Sequence, residues 1–362
     1  MKKIMLVSWD MSVLGGINQV LVTLADNLYT QYDVTVVSLV KSKEKTPYKF
    51  LSPDINVVYI MNEDCRGRKV ILKGYSKLRK LIKDRKIHIA FLMGFQVSLP
   101  VIMMTFGQKC KYVFCDHEAL LSRWHEKKVT AVRYLTAVLS DKVITLTKRN
   151  ARDYISKFKL PEKKVTYIYN SIDEKIISHT GEYDKTSKII LSVGRFSQEK
   201  RYDLLVDIAE TVLKRNPEWK WYIYGNGETF PEIENRIHSL QLQDRLILKG
   251  AVSDVSGIYA EASFFVLTSQ REGLPLVLLE AKANHLPCIS FDIMSGPKEI
   301  IRDKEDGFLI EPYDKNKMIQ AIETLIRDES LRIKMSESTG GNLEQFSNQK
   351  VMEKWRTLID TI

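Results

Sequence analysis

The sequence contains little cysteine and no cysteine-based framework. Its four cysteines, at positions 65, 110, 115 and 288 of 362, show no paired CxxC spacing. This distribution indicates neither a disulfide scaffold nor a zinc site, and it favours reduced thiols in a cytoplasmic protein. Internal repeats, low-complexity tracts and Asp-x-Asp motifs are also missing. With 44% apolar residues, the chain is expected to be an ordinary globular protein with a sizeable core.

Long apolar runs are also scarce. Only residues 89–107, IAFLMGFQVSLPVIMMTFG, carry no charge and approach the ~20 residues that a membrane span needs. Gly94, Gln96 and Pro100 interrupt this run, which favours a buried strand, a loop and a short buried helix. At the N terminus, Asp10 ends the first apolar run before it reaches the length of a signal peptide, so we expect a buried first strand there.

Charge is divided unevenly along the chain. The net charge of +10 combines +15 in residues 1–180 with −5 in residues 181–362. Residues 66–86 hold ten basic residues and one acidic residue. Apolar residues recur there at roughly helical spacing, at Val70, Ile71, Tyr75, Leu78, Leu81 and Ile82. Such a helix either lies on an anionic membrane surface or packs on a sheet through its apolar stripe, and the sequence favours neither. No aromatic platform accompanies the basic residues, so nucleic acid is not an expected partner.

The pattern of apolar segments predicts two α/β domains. Short apolar runs such as VTVVSLV and IHIAFLM alternate with helical patterns in the first half, and the second half repeats the scheme with runs such as KIILSVG and LPCISFD. Continuous apolar strands separated by helices indicate parallel sheets that are covered on both faces. Two doubly wound domains follow, with the polar stretch 179–189 as their linker.

Two loops of the second half carry the charged residues that a ligand site needs. In open α/β sheets, ligands bind beyond the carboxyl ends of the strands. The segment SVGRFSQEKRYDLL places Arg195 just after a buried strand and Lys200 before a helix, whereas TSQREGLPLVLLEA places Gly273 and Pro275 at a helix start. Free backbone N–H groups at that start favour an anion. Together with the two cations they predict a diphosphate site.

Two glutamates beside a diphosphate require a neutral hydrogen-bond donor as their ligand. Glu272 precedes the Gly-Leu-Pro turn, and Glu280 lies five residues beyond Pro275, about 7.5 Å along a helix. This distance is comparable with that from a diphosphate to the ribose of its nucleotide. Sugar hydroxyls are therefore the expected ligands, the ribose for Glu280 and a transferable sugar for Glu272.

These residues resemble the signature of the GT-B glycosyltransferases of family 4. The phosphate loop GRFSQEK is followed some seventy residues later by the Glu-x7-Glu motif EGLPLVLLE. The similarity continues through YGNGE, LILKGAV and SFDIMSGPKEIIRDKEDGFLIEP, and it includes GGINQV, CDHE and IYNSID in the first half. It covers essentially the whole chain. The resemblance implies a GT-B architecture in which two Rossmann-like domains face a central cleft.

The resemblance also implies domain bounds and an activity. We expect an acceptor-side domain over 1–178, a nucleotide-sugar-binding domain over 179–344, and a closing helix in 345–362 that crosses back to the first domain. The expected enzyme is a retaining, metal-independent transferase that moves a hexose or N-acetylhexosamine from a UDP-linked donor to a saccharide or lipid-linked acceptor of a bacterial surface glycan. Such an enzyme works in the cytoplasm or at the inner face of the membrane, and it needs no cofactor.

Individual roles follow from the family's motif positions. Arg195 and Lys200 stabilise the departing diphosphate, Glu280 holds the ribose, and Glu272 contacts the donor sugar. The implied catalytic residues are His117, Arg195, Lys200 and Glu272, and the implied donor-binding residues are Gly15, Gly16, Gly225, Gly227, Val252, Gly273, Leu274, Pro275, Leu276 and Glu280.

The alternatives come from other classes of protein. The missing Asp-x-Asp motif argues against a metal-dependent GT-A transferase, and no lysine context for pyridoxal phosphate supports a phosphorylase. A GT-B epimerase lacks the Glu-x7-Glu element. A non-catalytic nucleotide-sugar binder stays open. The chain departs from the family pattern at Asn284-His285, where an Ala-Gly-like turn is more common, with no expected effect on the site.

Overall fold

The computed structural model describes residues 1–13, 15–42, 51–52, 54–55, 57–65, 67–173, 176, 183–252 and 257–362. The chain divides into two compact units, the first formed by Met1–Tyr169 with Val351–Ile362 and the second by Asn170–Lys350. Each unit contains one parallel sheet with helices packed on it. This arrangement confirms the predicted class of two doubly wound α/β domains.

The first unit is built on a seven-stranded sheet in the order β3-β2-β1-β4-β5-β6-β7. Its strands read as continuous apolar runs because they are covered on both faces. The strands are β1 (Lys3–Asp10), β2 (Asp33–Val40), β3 (Val57–Tyr59), β4 (Ile89–Met93), β5 (Lys111–Asp116), β6 (Lys142–Thr145) and β7 (Val165–Tyr167). The helices that connect them are α1 (Gly16–Leu28), α2 (Gly67–Arg85), α3 (Phe95–Thr105), α4 (Lys127–Leu139) and α5 (Lys148–Phe158).

The uncharged run 89–107 forms β4, a turn at Gly94 and α3. This confirms the predicted strand, loop and short helix. Gly94 has a φ of +96°, which glycine adopts readily and which lets the chain reverse directly into the helix. In the part of the chain that the structure describes, no helix combines the length and apolar character that a bilayer crossing requires.

The second unit has a six-stranded parallel sheet in the order β10-β9-β8-β11-β12-β13. Its strands are β8 (Ile189–Val193), β9 (Lys220–Tyr224), β10 (Leu246–Gly250), β11 (Phe264–Leu267), β12 (Cys288–Phe291) and β13 (Gly307–Ile310). Its helices are α6 (Tyr202–Arg215), α7 (Phe230–Ser239), α8 (Leu276–Ala283), α9 (Pro297–Ile300), α10 (Lys315–Arg327) and α11 (Glu329–Ser338). Trp219 and Trp221 are buried in its core, so they are packing residues.

The closing helix α12 (Asn348–Thr361) returns to the first unit. Ser347 caps it, because its hydroxyl accepts a hydrogen bond from the Lys350 N–H at 3.3 Å. Trp355 is buried and meets Phe91 of β4 edge to face, with ring centroids 5.4 Å apart. Burial of this one helix face therefore attaches the C-terminal residues to the N-terminal sheet.

The units divide nine residues earlier than the sequence predicts, at 169/170 instead of 178/179. The backbone gives the reason, since the Ile172 N–H donates to the Phe346 carbonyl at 3.0 Å and so ties this segment to the second unit. The first unit resumes at Val351 and not at 345. Of the predicted linker 179–189, residues 179–182 lie outside the described residues.

Most of the predicted apolar stripe of residues 66–86 is buried or partly buried, with Tyr75 as the exposed exception. In α2 the side chains of Val70, Leu78 and Ile82 are at most 2% exposed and belong to the core of the first unit. Only Leu72 and Tyr75 are exposed apolar residues of this helix, and Arg66 lies outside the described residues. The reading of a basic helix packed on the sheet through its stripe is therefore correct, because the sheet buries those side chains first.

Candidate active site

Lys200 and Glu272 form an ion pair at the carboxyl ends of β8 and β11. The Lys200 Nζ donates to the Glu272 Oε1 at 2.6 Å, and the two side chains are only 18% and 13% exposed. The backbone brings them together as well, since the Gln270 N–H donates to the Glu199 carbonyl at 2.7 Å. The Thr268 hydroxyl donates to the Lys200 carbonyl at 3.0 Å. The structure thus unites two loops that are seventy residues apart in sequence.

Arg195 follows β8 and is exposed. Among the described residues it has no hydrogen bond or ion pair, in contrast to Lys200. The loop that carries Arg195 is held in place by a hydrogen bond that the Tyr202 hydroxyl donates to the Gly194 carbonyl at 3.2 Å. Phe196 is fully buried and packs against the Tyr202 ring, with centroids 4.4 Å apart. A rigid loop that presents an exposed guanidinium is suited to an anionic ligand.

Gly225 and Gly227 are required by the backbone around them. Gly225 has a φ of +143°, and a Cβ there would lie 1.9 Å from the Gly194 carbonyl oxygen. At Gly227, with a φ of +158°, it would lie 2.3 Å from the carbonyl oxygen of Phe196. The role that the structure shows for both glycines is close packing of the loop after β9 on the Arg195 loop.

The segment Gly273–Leu276 leads into α8, which begins at Leu276. Pro275 is the residue before the helix and not its first residue, and its carbonyl accepts from the Leu278 N–H at 3.1 Å. The Ser295 hydroxyl donates to the Gly273 carbonyl at 3.0 Å. The loop before α9 therefore supports this turn, while Leu274 is buried beneath it.

Glu280, on α8, has a partner that the sequence did not reveal. The hydroxyl of the fully buried Tyr259 donates to the Glu280 Oε2 at 2.5 Å. Burial raises the pKa of Glu280, and the nearby Asp173 raises it further, whereas Tyr259 and Lys200 act in the opposite direction. Lys200 thus pairs with Glu272 and also helps to oppose the rise in the pKa of Glu280. No periodicity or motif singles out Tyr259 in the sequence.

Val252 lies just beyond β10 and is 39% exposed. The neighbouring residues 253–256 lie outside the described residues. The structure therefore reports an exposed apolar side chain at the position where base contacts are expected.

His117 directly follows β5 in the first unit. Its Nε2 atom is buried and has no hydrogen-bond partner among the described residues. Burial lowers the pKa of His117 to about 4. The imidazole is therefore neutral at physiological pH and holds an unsatisfied polar atom, which is costly unless a ligand completes it.

A buried ionic cluster supports the loop that carries His117. Arg133 of α4 is fully buried, with its Nε 3.4 Å from the Asp116 Oδ2 and its Nη2 2.8 Å from the Glu118 Oε2. The Tyr154 hydroxyl donates to the same Asp116 oxygen at 2.5 Å. Burial raises the pKa of Asp116, and Arg133 and Tyr154 oppose that change. The cluster fixes both neighbours of His117 in the chain.

Gly15 and Gly16 lie at the start of α1, after β1, and are exposed. A Cβ at either position would meet no atom within 4 Å. The buried Asn18 holds the loop, since its Nδ2 donates to the Asp10 carbonyl at 2.7 Å and to the Val13 carbonyl at 2.8 Å. Open space therefore surrounds the two glycines, in contrast to Gly225 and Gly227.

Two family models account for most of the chain. The model of the glycosyl transferases group 1 matches residues 173–340, and that of glycosyltransferase family 4 matches residues 14–175. The chain belongs to glycosyltransferase family 4. Membership of this family makes the protein a glycosyltransferase. The ranges that the two models match meet near the division between the two units.

Three relatives resemble the chain over nearly its whole length. An uncharacterized glycosyltransferase of Haemophilus influenzae is 28% identical and covers 99% of this chain and 100% of its own. The amylovoran biosynthesis glycosyltransferase AmsD of Erwinia amylovora is also 28% identical, with the same coverage. The third is 25% identical over 93% of this chain and 94% of its own. It is the N-acetylgalactosamine-N,N'-diacetylbacillosaminyl-diphospho-undecaprenol 4-alpha-N-acetylgalactosaminyltransferase of Campylobacter jejuni.

Two solved structures share the fold of this chain. A TarM mutant of S. aureus, in complex with Fondaparinux, alpha-GlcNAc-glycerol and UDP, superposes with a TM-score of 0.84 at 17% identity. That match covers 99% of both chains. HepE of Anabaena, in complex with UDP and glucose, gives a TM-score of 0.84 at 16% identity and full coverage of both chains. The predicted GT-B architecture is thereby confirmed.

Proposed function

We propose that the protein is a retaining, metal-independent glycosyltransferase that moves a hexose or N-acetylhexosamine from a UDP-sugar to a growing bacterial surface glycan. The observation that carries the proposal is the ion pair of Lys200 with Glu272 where the loops after β8 and β11 meet, with Glu280 on the helix that follows. Family membership supports the reaction class. The names of AmsD and the Campylobacter jejuni relative support a glycan product, and the two UDP complexes of the same fold support the donor.

In this proposal, each site residue of the second unit binds one part of the donor. Arg195 and Lys200 bind the diphosphate, whose negative charge grows as the sugar departs. Lys200 then exchanges its carboxylate partner for phosphate oxygens, and Glu272 becomes able to accept hydrogen bonds from the sugar. Glu280 accepts from the ribose hydroxyls, while Gly273, Leu274, Pro275 and Leu276 line the donor site. Val252 contacts the base.

The reaction exchanges one bond at the anomeric carbon of the donor sugar. The bond from that carbon to the diphosphate oxygen breaks, and a bond to the acceptor hydroxyl oxygen forms on the same face. The acceptor proton goes to the departing phosphate, so no protein nucleophile is needed. Preorganised charges carry most of the catalysis. For His117, Gly15 and Gly16 the proposal keeps the roles toward the sugar or its phosphate that the family's motif positions imply.

The acceptor is a saccharide or a lipid-linked saccharide. Support comes from the Campylobacter jejuni relative, whose name specifies a diphospho-undecaprenol-linked acceptor, and from the net charge of +15 in residues 1–180. A lipid-linked acceptor places the protein in the cytoplasm, in contact with the anionic inner face of the membrane, where residues 66–86 contribute basic charge.

The test is turnover of labelled UDP-sugars with water as the acceptor. We expect slow release of UDP and of sugar that retains the donor's anomeric configuration, unaffected by EDTA. Glu280→Ala should weaken UDP binding about tenfold or more, because a charge-assisted hydrogen bond is typically worth ~1.5–3 kcal/mol. Glu234→Ala, at an exposed position of α7, is the matched control and should bind UDP normally.

Three results would contradict the proposal. Binding of UDP-sugar without any turnover would indicate a non-catalytic binder. An inverted sugar product would exclude the retaining mechanism. Equal UDP affinity in Glu280→Ala and Glu234→Ala would remove Glu280 from the ribose site.

A further inference from the structure

Helix α4 buries an arginine and a threonine and exposes a row of large apolar side chains. Arg133, Thr136 and Ala137 are fully buried, and Val129 and Val132 pack partly buried against the core. Outward lie Tyr134, Leu135, Val138 and Leu139, which are 43–47% exposed. An ordinary surface helix turns its large apolar side chains toward the core and its charges toward solvent, and α4 departs from this pattern at Arg133 and at its exposed row.

The orientation of α4 is fixed by its buried side. Arg133 is held by Asp116 and Glu118, and its guanidinium carbon lies 4.7 Å from the centre of the Phe95 ring. Rotation of the helix to bury its apolar side would pull this charge away from its partners, which is costly for a buried ion. The apolar side therefore stays at the surface.

The outward residues form a stripe with two lysines at its end. Ala131, Leu135 and Val138 follow helical spacing on the exposed side, and Lys127 and Lys128 precede Ala131 by four and three residues on the same side. No acidic residue occurs between Lys127 and Leu139. The stripe thus combines apolar side chains with positive charge only.

Neighbouring helices extend this surface. Helix α3 packs against both α2 and α4, so the three helices form one layer of the first unit. Of fifteen exposed large apolar side chains among the described residues, nine belong to this layer or its connections, a concentration that is typical of interaction surfaces. They are Leu72, Tyr75, Met103, Phe106, Trp124, Tyr134, Leu135, Val138 and Leu139. Helix α2 adds eight basic residues and one acidic residue.

We propose that the outward side of α4, continued by α3 and α2, docks the protein on an anionic phospholipid surface. Leu135 and Val138 enter the headgroup region, and Lys127, Lys128 and the basic residues of α2 bind lipid phosphates. The charge selects this occupant, because lysine is depleted in the cores of protein–protein interfaces but attracted to anionic lipid. The inference rests on the proposed function, whose lipid-linked acceptor lies at such a surface, and it moves the apolar contact from residues 66–86 to α4.

Vesicle sedimentation tests the docking. The wild-type protein should be retained by vesicles of phosphatidylglycerol and phosphatidylcholine but not of phosphatidylcholine alone, and retention should fall as salt rises. Leu135→Gln with Val138→Gln should reduce partitioning at least about tenfold, since each side chain loses apolar burial. Lys127→Glu with Lys128→Glu should have a similar effect. The matched control is Lys304→Glu with Lys334→Glu, two exposed lysines of the second unit, which should leave retention unchanged.

The controls separate docking from folding and from catalysis. All four positions on α4 are exposed, so the urea midpoints of the variants should match that of wild type. Release of UDP from UDP-sugar in vesicle-free buffer should also be unchanged. If wild type releases no UDP yet is still retained by anionic vesicles, the proposed function fails and the docking surface stands.

Two results would overturn the docking proposal. The first is wild-type protein that stays in the supernatant with anionic vesicles at low salt, or α4 variants that are retained as well as wild type. The second is a wild-type dimer that Leu135→Gln with Val138→Gln dissociates, without any retention by vesicles. The α4 side would then be an interface between two copies of this chain.

Discussion

Lys200 and Glu272 show how single residues prepare a site for a charged ligand. Both side chains are largely shielded from solvent, so their pairing is stronger than that of an exposed surface pair. A diphosphate competes with Glu272 for the lysine, whereas a sugar hydroxyl can occupy the carboxylate. The pair therefore holds a cation and a carboxylate side by side. In the proposed complex, the diphosphate of the donor binds Lys200 and its sugar binds Glu272.

At the same scale, we expect His117→Asn to flatten the pH dependence of stability between pH 6.5 and 4. The pKa of His117 is lowered from its ordinary 6.5 to about 4, so the unfolded state binds a proton in this interval and the folded state does not. Stability of the native chain therefore falls as the pH falls, with a slope of up to ~1.4 kcal/mol per pH unit from this one group.

Urea denaturation at stepped pH measures this slope. The exposed His125, replaced by Asn, is the matched control and should leave the profile unchanged. Parallel profiles for wild type and His117→Asn would show that the imidazole is not held neutral by burial.

At the scale of the element, the α8 helix is held at a fixed position under the site. The fully buried Lys282 donates through its Nζ to the Asp306 Oδ2 at 2.8 Å, to the Ile300 carbonyl at 2.8 Å and to the Asn342 Oδ1 at 2.7 Å. Burial lowers the pKa of Lys282, and Asp306 opposes that change. Because Glu280 lies two residues away, this network fixes the carboxylate that we assign to the ribose.

The geometry of the strand-to-helix loops predicts that alanine at position 225 and alanine at position 16 affect the stability of the protein differently. Gly225→Ala should destabilise the protein by roughly 3 kcal/mol or more, because its Cβ would overlap the Gly194 carbonyl in a strained backbone region. Gly16→Ala should be neutral or stabilise by up to ~1 kcal/mol, since no atom lies near and alanine favours the helix. Under the proposed function, Gly16→Ala still lowers turnover.

Urea midpoints and UDP release, measured on both variants, check these expectations. Similar stabilities of the two variants would contradict the expectation that the backbone requires glycine at position 225 but not at position 16. Normal turnover in Gly16→Ala would remove this glycine from the donor site.

At the scale of the whole molecule, the last helix determines the stability of the first unit. Trp355→Ala should destabilise this unit by about 3–5 kcal/mol, because the tryptophan is 5% exposed and packs on Phe91. Limited proteolysis with mass spectrometry should show faster cleavage within Met1–Tyr169 than within Asn170–Lys350. Trp124→Ala, at a 39% exposed position of the same unit, is the control. Equal acceleration in both units would contradict this expectation.

The sequence by itself determined the class of fold, because buried parallel strands must be continuous apolar runs and their order along the chain reads directly. It also predicted which residues to place in the site, since the loops after β8 and β11 carry the charges of a recognisable motif. The strand–loop–helix division of residues 89–107 was likewise readable, because Gly94 and Pro100 mark it locally.

Tertiary structure alone decided the contacts between distant segments. No local signal predicts the hydrogen bond from Tyr259 to Glu280, the return of the chain to the first unit at Val351 or the burial of Arg133 on the inner side of α4. The same holds for the surface. Periodicity locates an apolar stripe on a helix but not the side of the molecule that it faces, and so α2 buries its stripe while α4 exposes one. Which side is covered depends on the free energy of the whole packed unit, where the ion pairs of one arginine outweigh the exposure of a few apolar side chains.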